Sequence, residues 1–296
     1  SGVKDMVRRA LLPWYNALKF FQTYAKVDNW SAKEHLTLSE NITDQWIISN
    51  LQTLKKNISR EMEAYQLYNV VPALFTFIED LTNWYIRLNR NRFWGEGLSE
   101  DKKSAYSSLY TTLLELSQIM APFAPFLSEF SFQELKEFGQ ELPQSVHLCE
   151  YPEEKAELSN VMLETSMGRI QQIILLGRQK RNLLNIKVKT PLSRLTVIHK
   201  DEDLLKGIKT LESYIKTELN IKNIEFSSKE ENFITLYAKP NSPVLGKKLG
   251  KDFGKFAGKI KNLSSDQLLS LESKGKIEIE EKVFSNEEIL VFREPK

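Results

Sequence analysis

The sequence predicts a mainly α-helical fold, an antiparallel helix bundle followed by a smaller α+β domain. Three observations predict it. Apolar residues recur at helical spacing through most of residues 1–185. The connections between those periodic segments are short, which favours antiparallel neighbours. Beyond about residue 185 the period changes to the alternation of strands. With 296 residues and roughly 100–200 per domain, two domains are expected. The boundaries that follow are 1–185 for the bundle, with a linker at about 141–158, and 186–296 for the α+β domain.

Taken in order, Val7, Ala10, Leu11, Trp14, Leu18 and Phe21 mark a first helix over 3–25, which Pro13 would kink. Ile42, Trp46, Leu51, Leu54 and Ile58 mark a second over 41–65. A third runs over 69–94, with Pro72 near its start, where a missing N–H costs little. Residues 102–120 form a fourth, broken by Pro122 and Pro125 and resumed over 126–139. The acidic, proline-bearing stretch after it lacks helical periodicity and reads as the linker, and 160–185 is helical again. A strand is expected to begin at Ile186. Residues 201–219 read as helix, and 222–228 and 232–239 as a strand pair joined by a polar turn. The tail offers a helix opened by Ser265 and Asp266 and short strands near 276–280 and 289–293.

Composition narrows the class. Apolar residues make up 41% and charged residues 27%, an ordinary globular mixture rather than a disordered one. No stretch approaches the ~18 consecutive apolar residues that span a bilayer. Lys4, Asp5, Arg8 and Arg9 interrupt the first apolar run, so no secretory signal is read there. Cys149 is the sole cysteine, which excludes an internal disulfide and a cysteine-rich zinc site. A cytoplasmic monomer is expected, with no membrane contact. Net charge is only +2, but residues 165–200 carry eight Lys and Arg without a single acid. Such local excess suits a protein whose faces differ in role, and it suits a plain solvated surface equally.

No active site is visible. His35, His147 and His199 belong to no metal-binding spacing. Gly246-Lys247-Lys248 lacks the upstream glycine and the following Ser or Thr of a phosphate loop, and no nucleophile elbow or dinucleotide fingerprint occurs. No catalytic and no metal-ligating residue is therefore assigned.

The binding candidates are basic. At 100° per residue, Asn83, Arg87, Arg90 and Trp94 share one stripe, while Leu74, Leu81 and Leu88 lie opposite. Guanidinium forks suit phosphate oxygens, and an aromatic face suits an unstacked base. The same arginines could instead pair with bundle carboxylates while Trp94 caps a core, and the residues alone leave both readings open. Arg92 points elsewhere, toward a structural role. A second basic element follows: Arg178, Arg181, Asn182 and Asn185 share a helical face, and Lys187 and Lys189 share a strand face if the strand begins at Ile186. Phosphate contacts there would position RNA without reading its sequence. Lys247, Lys248, Lys251, Lys255 and Lys259 recur at three or four residues and read as a solvated face.

Several runs resemble one family. Residues 11–17 (LLPWYNA), 44–49 (DQWIIS), 63–72 (EAYQLYNVVP), 83–94 (NWYIRLNRNRFW), 120–126 (MAPFAPF), 145–148 (SVHL) and 187–193 (KVKTPLS) together are similar to isoleucyl-tRNA synthetases. The set is most like the branch shared by eukaryotes and some bacteria. The resemblance covers essentially the whole chain, with departures at Leu88, Asn89 and Lys189-Thr190. It implies the anticodon-binding bundle of a class I synthetase plus a C-terminal α+β domain, as one piece of a longer enzyme. It implies isoleucine tRNA as partner, together with catalytic and editing domains of the same chain. ATP and Mg²⁺ are implied for that parent enzyme and no cofactor for this piece, since the HIGH and KMSKS signatures are absent. Ligase activity from the piece alone is not expected. Asn83, Arg87, Arg90 and Trp94 carry over as candidate tRNA contacts, with Arg178, Arg181, Lys187 and Lys189 behind them. A helical protein–protein docking module without specific RNA readout is the alternative.

Overall fold

The computed structural model describes residues 2–139 and 141–296. It opens with α1 (Gly2–Met6), a wide π-helical turn at Val7–Leu11, and α2 (Leu12–Val27). The wide turn lies directly before Pro13. A proline offers no N–H to the carbonyl of Arg9 and its ring crowds that turn, so the helix widens there rather than breaking. A short α3 (Ala32–His35) follows, then α4 (Ile42–Glu63), whose first turn is capped by Asn41 accepting the Thr43 N–H at 3.0 Å.

Next come α5 (Leu67–Glu79), a π-helical segment at Asp80–Ile86 and α6 (Arg87–Trp94), forming one continuous rod. Pro72 sits inside α5 and not at its first turn, because the helix starts earlier than the periodicity indicates. The bundle continues with α7 (Glu100–Met120), capped by Ser99, α8 (Pro125–Lys136) and α9 (Val161–Leu183), capped by Asn160. The stretch between α8 and α9 holds two short 3₁₀ turns, Val146–Leu148 and Ala156–Leu158.

The helices bury one stripe each. Trp14, Leu18, Phe21, Ile47, Leu51, Tyr85, Phe93, Tyr106 and Leu113 are wholly or almost wholly enclosed. An aromatic knot ties α2 to α7: the Phe21 ring lies 5.9 Å from Tyr110, with Phe138 4.9 Å from Phe21 and Trp30 5.4 Å from Tyr110 around them. Offset and tilted ring pairs of this kind add to the burial of their area.

Beyond α9, β1 (Leu192–Ile198), α10 (Glu202–Lys209), α11 (Glu212–Leu219) and β2 (Ile221–Ser227) follow. Residues 201–219 are thus two helices rather than one. Strands β1 and β2 pair in parallel, with Leu192 opposite Ile221 and Val197 opposite Phe226. The expected pair of 222–228 with 232–239 does not form. Instead β3 (Ile234–Pro240) runs antiparallel to the last strand, β6 (Ile289–Pro295), with Tyr237 opposite Phe292. Between them lie α12 (Ser242–Leu249), α13 (Phe253–Lys261), α14 (Ser265–Lys274) and the hairpin β4 (Lys276–Ile279) and β5 (Lys282–Ser285). Helix α14 begins with a capping box of Ser264 and Gln267 and ends at Gly275, whose φ of 73° suits a residue without Cβ. Leu236, Leu245, Phe256, Ile260, Leu268, Leu271, Phe284 and Ile289 form one buried cluster.

Packing divides the chain into two compact units. The first comprises the residues through Ile186 together with Ser213–Leu219, and the second comprises Lys187–Glu212 and Asn220–Lys296. Sequence alone assigns Ser213–Leu219 to the α+β domain. It packs with the bundle instead, because Ile215 and Leu219 are fully buried there and Glu218 meets two bundle arginines.

Candidate nucleic-acid interface

Helix α6 is held by its inner face. Phe93 is fully buried, and Asn89 is buried with its Nδ2 donating to the Tyr85 carbonyl at 2.8 Å. Asn89 Oδ1 accepts from Thr43 Oγ1 at 3.0 Å and from Arg92 Nη1 at 2.9 Å. Arg92 is the hub. Its two Nη atoms grip the carboxylate of Asp44 on α4, and its Nε and Nη2 reach Asp101 on α7 at 2.8 and 2.7 Å. Asp44 is wholly buried and also accepts from the Tyr85 hydroxyl at 2.7 Å and the Ser39 hydroxyl at 2.6 Å. Burial works against the Arg92 charge, but the hydrogen bonds to Asp44 and Asp101 outweigh it and raise its pKa above that of an ordinary arginine. Burial first, and Asp44 second, push the Tyr85 phenol well above its usual range, so it remains a donor.

With that face fixed, the opposite face is presented outward. Asn83, Arg87, Arg90 and Trp94 are all exposed. Trp94 keeps 54% of its surface open, and Arg90 makes no hydrogen bond or ion pair among the described residues. Arg87 differs, for Glu218 of α11 accepts from its Nε at 3.3 Å and pairs with its Nη2 at 3.0 Å. Arg178 of α9 closes on the same Glu218 carboxylate through its own Nη2.

The second group of basic candidates behaves otherwise. Arg181 is 3% exposed and donates to the Leu219 carbonyl at 2.6 Å, so it ties α11 to α9. Arg181 is therefore not an RNA contact as the sequence suggests, since an enclosed guanidinium cannot reach a phosphate. Arg178 is half-buried in the Glu218 clamp. Lys187 and Lys189 do not share a strand face. They sit in a turn closed by the Thr190 N–H to the Lys187 carbonyl at 3.0 Å, and the strand starts only at Leu192. The Asn220 side chain fastens that turn by donating to the Val188 and Lys189 carbonyls, both at 3.0 Å. Both lysine side chains are exposed. The clamp residue Glu218 carried no signal in the sequence, being one of two acids on a short helix.

Elsewhere three of the six lysines of 247–261 are committed to ion pairs. Lys248 pairs with Glu288 at 2.7 Å, and Lys255 and Lys259 both meet Glu280. Among the described residues no group of three or more His, Cys, Asp or Glu side chains could hold a metal ion. No helix among them is long and apolar enough to cross a membrane.

Comparison with known proteins identifies the family. A family model described as the anticodon-binding domain of tRNA ligase matches residues 44–197, a span that runs from the first turn of α4 through α9 into β1 and includes residues 83–94. The chain belongs to that family. An isoleucine–tRNA ligase from Bdellovibrio bacteriovorus is 40% identical over 296 residues, covering 100% of this chain and 28% of the relative. The cytoplasmic isoleucine–tRNA ligase of Saccharomyces cerevisiae is 39% identical across 94% of this chain and 27% of its own length. That of Mus musculus is 38% identical across 98% of this chain and 24% of its own length. The chain thus spans about a quarter of the length of the curated relatives it matches.

Proposed function

We propose that this chain is the tRNA-gripping part of an isoleucine–tRNA ligase and holds the anticodon stem-loop of isoleucine tRNA. The observation that carries the reading is the braced stripe. Arg87, Arg90 and Trp94 project from a helix whose opposite face is locked by Arg92, Asp44 and Asn89. Guanidinium groups on a rigid element contact phosphate with little ordering cost, and an exposed indole at the end offers a plane for an unstacked base. Phosphate contacts place the RNA, and stacking and hydrogen bonds to splayed bases read it. Lys187 and Lys189, exposed on a braced turn, are candidates for backbone contacts to the tRNA.

Within the parent enzyme, ATP- and Mg²⁺-dependent ligation and editing fall to other domains of the same chain, in the cytoplasm. This piece supplies no residue to that chemistry and forms no isoleucyl adenylate alone.

The test is binding of this chain to isoleucine tRNA and to the same tRNA with an altered anticodon, at two salt concentrations. Preference for the cognate tRNA, weakening with salt and lost in the Arg87→Ala/Arg90→Ala double variant, is the expected result. Equal binding to both tRNAs leaves only a nonspecific basic surface. One observation favours a second reading, a protein-docking module: Tyr65, Leu67 and Tyr68, around the turn between α4 and α5, are 93%, 54% and 72% exposed. No RNA binding at low salt would turn the assignment to that reading.

A further inference from the structure

We infer that Glu218 is a positioning residue for the RNA-facing stripe, aiming Arg87 while screening it from indiscriminate phosphate contact. The inference rests on the tRNA-binding reading above.

Glu218 takes one edge of the Arg87 guanidinium, the Nε and Nη2 edge, at 3.3 and 3.0 Å. The side chain of Glu218 is only 10% exposed, whereas that of Arg87 is 46% exposed. Arg178, 25% exposed, grips the same carboxylate from α9 and keeps it from swinging away. The outer Nη1 of Arg87 has no partner among the described residues, which leaves its two N–H groups for an incoming acceptor. A guanidinium is planar, so fixing one edge fixes the direction of the other.

The clamp also sets the local charge. Two arginines share one carboxylate, so Arg87 meets a phosphate as a partly compensated cation. Arg90, one turn away, has no partner among the described residues and keeps its full charge. Any phosphate chain is drawn to Arg90, but only one aligned with Nη1 gains the oriented bond from Arg87. That difference is selectivity by geometry.

Holding α11 in place does not require Glu218. Ile215 and Leu219 are fully buried, Tyr214 shares a hydrogen bond with Thr43, and Arg181 holds the Leu219 carbonyl. Leu219 also packs on Gly177, where a Cβ would come within 2.5 Å of its side chain. Only the Arg87 arm of the clamp is half-exposed, and an ion pair there adds little stability to such an anchor.

The experiment compares Glu218→Gln and Glu218→Asp in the full chain, using isoleucine tRNA and its anticodon-altered form across a salt series. Glu218→Gln removes the screen, so the altered tRNA binds more tightly and its log–log salt slope steepens by about 0.7–0.9. The ratio of cognate to altered affinity falls about tenfold, the worth of one charge-assisted hydrogen bond. Glu218→Asp keeps the charge but shortens the reach, so the ratio falls while binding of the altered tRNA stays as in the parent chain. A parent chain that discriminates, with both variants keeping its ratio and slope, overturns the role of Glu218 alone. A parent chain that treats the two tRNAs alike overturns the tRNA reading and this inference together.

Discussion

Arg92 and Asp44 meet fork to fork, Nη1 to Oδ1 and Nη2 to Oδ2, both at 2.8 Å, around a carboxylate that no solvent reaches. The pair joins α6 to α4, and Asp101 extends it to α7. Removing the guanidinium would strand a buried anion that then keeps only hydroxyl donors. Arg92→Ala is expected to cost about 3–5 kcal/mol, the range for breaking one side of a buried pair. Arg92→Lys should recover only part of it, since an ammonium cannot span both oxygens. Urea unfolding followed by far-ultraviolet circular dichroism measures both, and an Arg92→Ala chain as stable as the parent would refute the argument.

Gly177 tests the seat of α11. A Cβ there would lie 2.5 and 2.9 Å from the two methyl carbons of Leu219, which is fully buried and has little room to yield. Gly177→Ala should cost about 1–3 kcal/mol by overpacking. Adding Leu219→Ala should relieve the clash, so the double variant should be less destabilised than the sum of the two singles. Additive losses would mean that the two residues do not press on each other.

The exposed stripe should separate binding from stability. Arg90→Ala removes a side chain that bonds to nothing among the described residues, so unfolding should change by no more than about 0.5 kcal/mol. Trp94→Ala should leave the fold similarly intact and weaken RNA binding by about 1–3 kcal/mol if one base stacks on the indole. Titration of labelled tRNA beside a thermal melt reads both quantities. A Trp94→Ala chain with unchanged affinity would remove Trp94 from the interface.

Glu129 supplies a pH dependence. Burial alone would raise its pKa, but the Val146 N–H at 2.9 Å, Gln133 and the Ser145 hydroxyl together hold it below the usual carboxylate range. A depressed folded pKa means that the unfolded chain binds the proton more readily. Its contribution is therefore complete above the unfolded pKa, ~4.3 for a glutamate, and is lost as pH falls through the folded value. Glu129→Gln should reduce stability at neutral pH, and the gap to the parent should close in acid. A gap that stays constant from pH 7 to about pH 3 would show that the carboxylate charge plays no part.

Phe284 is fully buried at the centre of the second unit, with its ring 5.5 Å from that of Phe256. Phe284→Ala should cost about 3–5 kcal/mol through lost burial and a residual cavity. Faster amide exchange along β3 and β6 would report it, because those strands flank the same core.

Much of the helical architecture was legible because amphipathic periodicity is local. A helix declares its buried stripe within a few turns, so Trp14, Leu18 and Phe21 identify one face of α2 without any knowledge of its partner. Asn83, Arg87, Arg90 and Trp94 were legible as an outward stripe for the same reason, and Arg92, off that stripe, as structural. The strand partners were not legible. Ile221–Ser227 and Ile234–Pro240 look like neighbours in a hairpin, yet each pairs with a strand far away along the chain. Alternation states which residues face inward but not which strand lies alongside.

The helix bundle with its α+β continuation, the family motifs and the basic helical face are all written in the order of residues. Which basic groups remain available depends on packing between segments distant along the chain. Arg178 and Arg181 share a helical face with exposed asparagines, yet α11 comes back to that face and engages both, burying Arg181. It also lends Arg87 a carboxylate from 131 residues along the chain. A charge takes its effect from its neighbours in space, while periodicity records only its neighbours in sequence.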